Sequence, residues 1–256
     1  EVHNRPSYID QLKNKLPSKI LSLYFHNDPL SMDGSKTIED RKKLLKNCYK
    51  IIFNSNWSKK RFLEGLENKF VNSHKLVVFY QSAKKSSKTI LNKKKNWITF
   101  VGKLNRAKGY DIFVQSIKKI LNKYPNWKAK VIGDEKREKI ILNHKNANLL
   151  GFLNHDEVIK IFKQSSIAVV CSRWEEPFGR TSLEASANGC AVIITNKGGL
   201  PETITNARIL KKLNQKNLEK NIKYLIENKS ERKILQKKSI ENFYLTHEFI
   251  TKKIDD

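Results

Sequence analysis

Between residues 96 and about 210, short apolar runs alternate with longer stretches whose apolar side chains recur at three- and four-residue steps. Segments 97–101, 128–132, 147–150, 167–171, 191–195 and 207–210 predict strands, because aliphatic, β-branched and aromatic residues crowd them. Segments 111–123, 134–142, 156–164 and 180–188 predict helices. Strands and helices that alternate at this length specify an α/β fold with a parallel, doubly wound sheet. In such sheets ligands lie beyond the carboxyl ends of the strands.

The flanks follow a related pattern. Residues 1–83 predict a separate unit, with strands at 20–25, 50–54 and 76–80 and helices at 38–45 and 58–66. Residues 84–95, rich in Lys, Ser and Asn, predict an interdomain linker before the doubly wound domain at 96–240. The chain after Asn214, residues 241–256 included, reads as helical. No internal repeat is evident.

At 256 residues with 39% hydrophobic side chains, the chain can build one large or two modest globular domains. Its net charge of +26 is extreme. Only nine of the 51 basic residues are Arg, and Asn and Ile are abundant, a mixture that codon bias in an AT-rich genome produces by itself. The alternative is a basic face for anionic lipid or an anionic acceptor. Nucleic acid is disfavoured, since the lysines are dispersed and not clustered with stacking aromatics. No apolar run reaches the ~18 residues of a membrane-spanning helix, and no signal peptide opens the chain, so a cytoplasmic protein, soluble or peripheral to the membrane, is expected. Cys48, Cys171 and Cys190 are odd in number and lack metal-ligand spacing, which argues against disulfides and zinc and for core roles. His144, His155 and His247 read as surface residues, and no cluster predicts a metal site.

The candidate chemistry concentrates in Glu176-Pro-Phe-Gly-Arg-Thr-Ser-Leu-Glu184. Pro177 cannot lie inside a helix and Gly179 permits an unusual backbone angle, so Glu176 belongs on a loop and a helix starts near Arg180. The free amides around Phe178, Gly179 and Arg180 then face an anion. Glu184 can point back toward the same pocket and accept hydrogen bonds from a diol. Arg180, a cation at a helix start, needs a ligand contact to justify its place. Glu175 takes an exposed role, Gly198 and Gly199 let the backbone approach a ligand closely, and Glu202 caps a turn. His26 lies just past an apolar strand, where a neutral imidazole can donate or accept a hydrogen bond.

These residues resemble the Glu-x7-Glu signature of family 4 of the retaining glycosyltransferases. The resemblance extends to Phe100-Val-Gly102-Lys103-Leu-Asn-Arg-Ala-Lys108-Gly109, similar to that family's Gly-Arg-x4-Lys-Gly with Lys103 in place of Arg, and to Asn148-Leu-Leu-Gly-Phe-Leu-Asn-His155-Asp-Glu157. With Gly198-Gly-Leu-Pro-Glu202, these four blocks in their order make the match specific, and residues 241–256 resemble the family's closing helix, which crosses back to the first domain. It implies a GT-B fold of two Rossmann-like doubly wound domains, the first incomplete because its opening strand and Gly-Gly loop are missing, as in an amino-terminal truncation. It also implies transfer of a hexosyl group from a nucleotide diphosphate sugar to a saccharide or lipid-linked acceptor, with retention and without a metal or other cofactor. Surface polysaccharide or lipopolysaccharide synthesis is the expected setting, with peripheral contact to an anionic membrane. The implied catalytic group is Glu176, His26, Lys108 and Lys103, the two lysines holding the diphosphate. Glu184, Gly102, Phe178, Gly179, Arg180 and Gly199 bind the donor, and His3 and Arg5 lie on the acceptor side. Lys103 lacks the planar fork of Arg, so its phosphate contact should be looser. The alternatives left open are a GT-B phosphorylase or nucleotide-sugar epimerase, a catalytically silent carbohydrate- or nucleotide-binding remnant, and a basic nucleic-acid-binding protein.

Overall fold

The computed structural model describes residues 1–255, which divide into two compact units: Glu1–Gln81 with the chain from Glu248 onward, and Ser82–His247. In the first unit, β1 (Val2–His3), β2 (Ser22–Phe25), β3 (Lys50–Phe53) and β4 (Leu76–Val78) pair in parallel in that order. Each connection steps the same way, so this sheet is wound in one direction only. The intervening helices are α1 (Tyr8–Lys15), α2 (Ile38–Asn47) and α3 (Asn56–Leu63). Phe25, Phe53 and Phe62 are fully buried at the centre, the first two stacked and Phe62 tilted against both. Strand β1 and helix α1 were not anticipated. The strand is two residues long, and the helix buries only Ile9 and has no side-chain cap, so neither leaves a periodic signature.

The second unit holds β5 (Lys95–Val101), α4 (Tyr110–Lys123), β6 (Lys128–Ile132), β7 (Ala147–Leu149), α5 (His155–Gln164), β8 (Ser165–Val170), α6 (Arg180–Ala187), β9 (Ala191–Thr195), β10 (Arg208–Leu210), α7 (Gln215–Glu227) and α8 (Lys229–Glu241). Its six parallel strands lie in the order β10-β9-β8-β5-β6-β7, so the chain winds outward from β5 in one direction and, after β7, returns to β8 and continues in the other. Strand alternation divides the core between the two faces. Ile98, Phe100, Ile167, Val169 and Ile193 pack with Phe113 and Ile117 of α4, while Ala168, Val192 and Ile194 pack with Phe162 of α5 and Ala185 of α6.

Three expectations are corrected. Residues 134–142 form no helix. Glu135 accepts from the Arg137 amide at 3.0 Å, a local bond that competes with helical pairing, and from Asn105 Nδ2 at 2.9 Å, which ties the segment to the loop after β5. Residues 84–95 are not a free linker. A 3₁₀ turn at Lys88–Lys93 buries Ile90, and Lys94 Nζ donates to the carbonyls of Phe162 at 2.9 Å and Asn188 at 2.6 Å. One ammonium therefore covers the carboxyl ends of both α5 and α6, where a cation is favoured. The expected closing helix is broken as well: α8 stops at Glu241, and α9 (His247–Asp255) begins after a bend. Asp256, the end of that expected segment, lies outside the described residues.

Candidate active site

The winding of the second sheet reverses between β5 and β8, and a crevice at such a point is where open α/β sheets take ligands. Two loops border it, residues 102–109 after β5 and residues 171–179 after β8. Lys108, from the first, places its Nζ 2.5 Å from Oε1 of Glu176, from the second. The Lys108 backbone is fixed in turn: Asn105 Oδ1 accepts from its amide at 3.1 Å. The Glu176 side chain is only 12% exposed, so this ion pair is far better shielded from water than an ordinary surface pair.

The Glu176 backbone is clamped from the other side. Gly199 donates its amide to the Glu176 carbonyl at 2.6 Å, and Gly198, at φ 59°, packs so closely that a Cβ there would lie 2.6 Å from the Glu176 nitrogen. Glu175 secures the arrangement by accepting from the Gly198 amide at 2.5 Å and from Lys197 Nζ at 2.8 Å. Glu175 was read only as an exposed neighbour of Glu176. It is exposed, yet it ties two loops together, a role that sequence spacing does not reveal.

Helix α6 starts after Gly179, whose φ of 108° turns the chain sharply. The first-turn amides of Arg180 and Thr181 have no intrahelical acceptor, as at any helix start. Phe178 as a whole is 2% exposed, so it packs beneath the loop as a core residue. One turn on, the Glu184 side chain is 11% exposed, and its Oε1 accepts from Arg180 Nη2 at 3.0 Å and Nε at 3.3 Å, and lies 3.2 Å from His155 Nε2. All of these contacts fall on one oxygen, and Oε2 has no partner among the described residues. Arg180 is thus held at the helix start by Glu184, and the contact it required is supplied from within the chain. His155, read as a surface histidine, is exposed but converges on Glu184. A capping box aims it: Asn154 Oδ1 accepts from the Glu157 amide at 3.0 Å, and Glu157 Oε2 accepts from the Asn154 amide at 3.1 Å.

Lys103 is exposed and makes no hydrogen bond or ion pair among the described residues. With Gly102, Gly133, Phe152, Leu153 and Val158 it lines an apolar cleft of about 290 Å³ at the ends of β5 and β6. The structure therefore joins Lys108 to Glu176 and Glu184 to Arg180 and His155, and it leaves Lys103 unengaged.

In the first unit, β1 and β2 place His3 Nδ1 2.9 Å from His26 Nε2, with the rings of His3, Tyr24 and His26 stacked in series. Asn4, at φ 52°, accepts from the His26 amide at 2.8 Å, and Asn54 donates to the His26 carbonyl at 2.9 Å. Partial burial, aided by the neighbouring His3, lowers the His26 pKa below its usual 6.5. Arg5 is exposed; its carbonyl accepts from the Tyr8 amide at 3.1 Å, and its guanidinium has no partner among the described residues.

A doubly wound unit with its site at the strand switch point, together with a second parallel α/β unit, is the GT-B architecture of glycosyltransferases. The model for the family described as "Glycosyl transferases group 1" matches residues 81–242, and the chain belongs to that family. The spore coat protein SA of Bacillus subtilis (strain 168) is 26% identical over 234 residues, which cover 81% of this chain and 62% of that protein. The lipopolysaccharide core biosynthesis mannosyltransferase LpsB of Rhizobium meliloti (strain 1021) is 29% identical over 125 residues, 45% of this chain and 35% of that one. Among solved structures, Anabaena Alr3699/HepE in complex with UDP and glucose superposes with a TM-score of 0.78 at 16% identity, covering 99% of this chain and 76% of that one. The chain thus spans under two thirds of both curated relatives. No helix among the described residues is long and apolar enough to cross a membrane.

Proposed function

We propose that the second unit binds a nucleotide diphosphate sugar and that the chain serves retaining transfer of its hexosyl group to a saccharide or lipid-linked acceptor. The observation that carries this reading is the shielded Lys108–Glu176 pair at the switch point of the family-matched segment. A donor diphosphate would engage Lys108 and the amides at the start of α6, where charge develops as the sugar departs. Lys103, unengaged in the structure, would swing onto the same phosphates. Glu176 would then be released to orient the sugar and favour positive character at its ring. The open Oε2 of Glu184 would accept from the ribose diol, Arg180 and His155 holding the other oxygen.

In the transfer the bond from the anomeric carbon to the diphosphate oxygen breaks, and a bond from the acceptor oxygen forms on the same face. The acceptor proton passes to the departing phosphate, so no protein nucleophile and no metal is written into the step. His26 would position the acceptor hydroxyl, with His3 and Arg5 beside an anionic acceptor. LpsB, whose name places it in lipopolysaccharide core synthesis, favours a surface glycan as product. The test is turnover with a panel of nucleotide sugars by the wild type and Glu176→Gln. Loss of transfer on the order of 10²-fold or more with unchanged melting supports the role. Wild-type turnover in the variant removes it.

A further inference from the structure

At the amino ends of the strands, the end of the sheet opposite the Lys108–Glu176 pair, lies a cleft of about 760 Å³ lined by Lys93, Lys94, Lys95, Lys160 and Lys163 with hydroxyl and amide side chains and no carboxylate. Lys95 opens β5, Lys128 opens β6, and Lys160 and Lys163 come from the last turns of α5. The basic surface continues past the cleft, because Lys95 and Lys130 sit over the Trp97 ring at 4.8 and 4.4 Å. Burial, together with Lys128 and Lys95, lowers the Lys130 pKa, as expected where ammonium groups crowd without counter-charges.

Two further features set the cleft apart from the generally basic surface. Some lysines elsewhere reach carboxylates, as Lys119, Lys197 and Lys237 do, whereas here seven lie together with no acid among them. Among the described residues, none of the five cleft lysines, nor Lys128 or Lys130, has an ion pair. The carboxyl ends of α5 and α6 also point here, and their partial negative charge would repel an anion. Lys94 Nζ covers both by donating to Phe162 and Asn188, which removes that repulsion at the floor of the cleft. Uncompensated cations above neutralised helix ends, in a concave wall without acids, match a compact ligand of high negative charge density.

We propose that this cleft is a second anion site that takes clustered phosphate groups, distinct from the donor site and independent of its chemistry. The experiment compares wild type, Lys93→Gln/Lys160→Gln/Lys163→Gln, and Lys216→Gln/Lys220→Gln/Lys229→Gln, which removes equal charge from exposed positions elsewhere. Inorganic tripolyphosphate is titrated calorimetrically into each, and each is sedimented with phosphatidylglycerol–phosphatidylcholine vesicles. The first triple variant is expected to weaken tripolyphosphate binding about tenfold or more and to flatten its salt dependence, with the second triple variant unchanged. Loss of vesicle binding in the first variant alone identifies the phosphate source as a lipid headgroup, whereas retained tripolyphosphate binding without vesicle binding identifies a soluble one. Equal effects of the two triple variants, or no binding of either probe by the wild type, overturn the proposal.

Discussion

Gly198 shows how far a single hydrogen atom reaches into the chemistry. Its left-handed backbone and its contact with the Glu176 main chain leave no room for a methyl group. Gly198→Ala is expected to cost about 1–3 kcal/mol in urea melts and to reduce transfer beyond what that loss explains, because Glu176 is displaced. At His26, burial favours the neutral ring. Its folded pKa lies below the unfolded value, so the stability it contributes is present above about 6.5 and is lost as pH falls from there toward the folded pKa. Thermal melts of wild type and His26→Gln should diverge near neutrality and converge as pH falls below that window. Parallel curves across the range would contradict the assignment. The residues most legible in the sequence were those whose neighbours in the chain constrain them: Pro177 and Gly179 isolate Glu176 on a loop, and the helix register aims Glu184. Glu175 and His155 were missed because their partners, Gly198 and Glu184, lie 23 and 29 residues away.

At the scale of elements, strand positions in the second unit followed from apolar runs that the sheet buries on both faces, and β6 and β9 fall where those runs predict. Helices with wide apolar faces, such as α4, and α5 with its capping box besides, were equally readable. The misread segment 134–142 carries aliphatic residues only at its far end, so its pattern offered no face to bury, and Glu135 settles it as a turn. Short elements such as β1 owe their existence to a partner strand and carry no pattern of their own. Helix α5 links element stability to the site, because its capping box fixes the turn that presents His155. Asn154→Ala should cost about 1 kcal/mol and loosen the hold on Glu184. It is expected to weaken nucleotide affinity more than it lowers turnover of bound donor, and an unchanged KM would separate the cap from the site.

Across the whole molecule, the alternation of strands and helices disclosed two parallel α/β units, while the segment between them was misjudged. Its composition is that of a linker, yet Ile90 and Lys94 anchor it to the second unit through contacts to residues distant in the chain. A half-buried lysine that covers two helix ends cannot be told from a solvated one in a chain with 51 basic residues, and the net charge of +26 obscured the local design. The central claim is that Lys108, paired with Glu176 at the switch point, belongs to a site for a nucleoside diphosphate. Calorimetric titration of UDP, GDP and ADP into wild type and Lys108→Ala tests it most directly, since it needs neither acceptor nor turnover. Saturable binding of at least one nucleotide by the wild type, weakened about tenfold or more in Lys108→Ala, is the predicted result. Equal affinity in the two proteins, or no binding of any of the three by the wild type, would contradict the account.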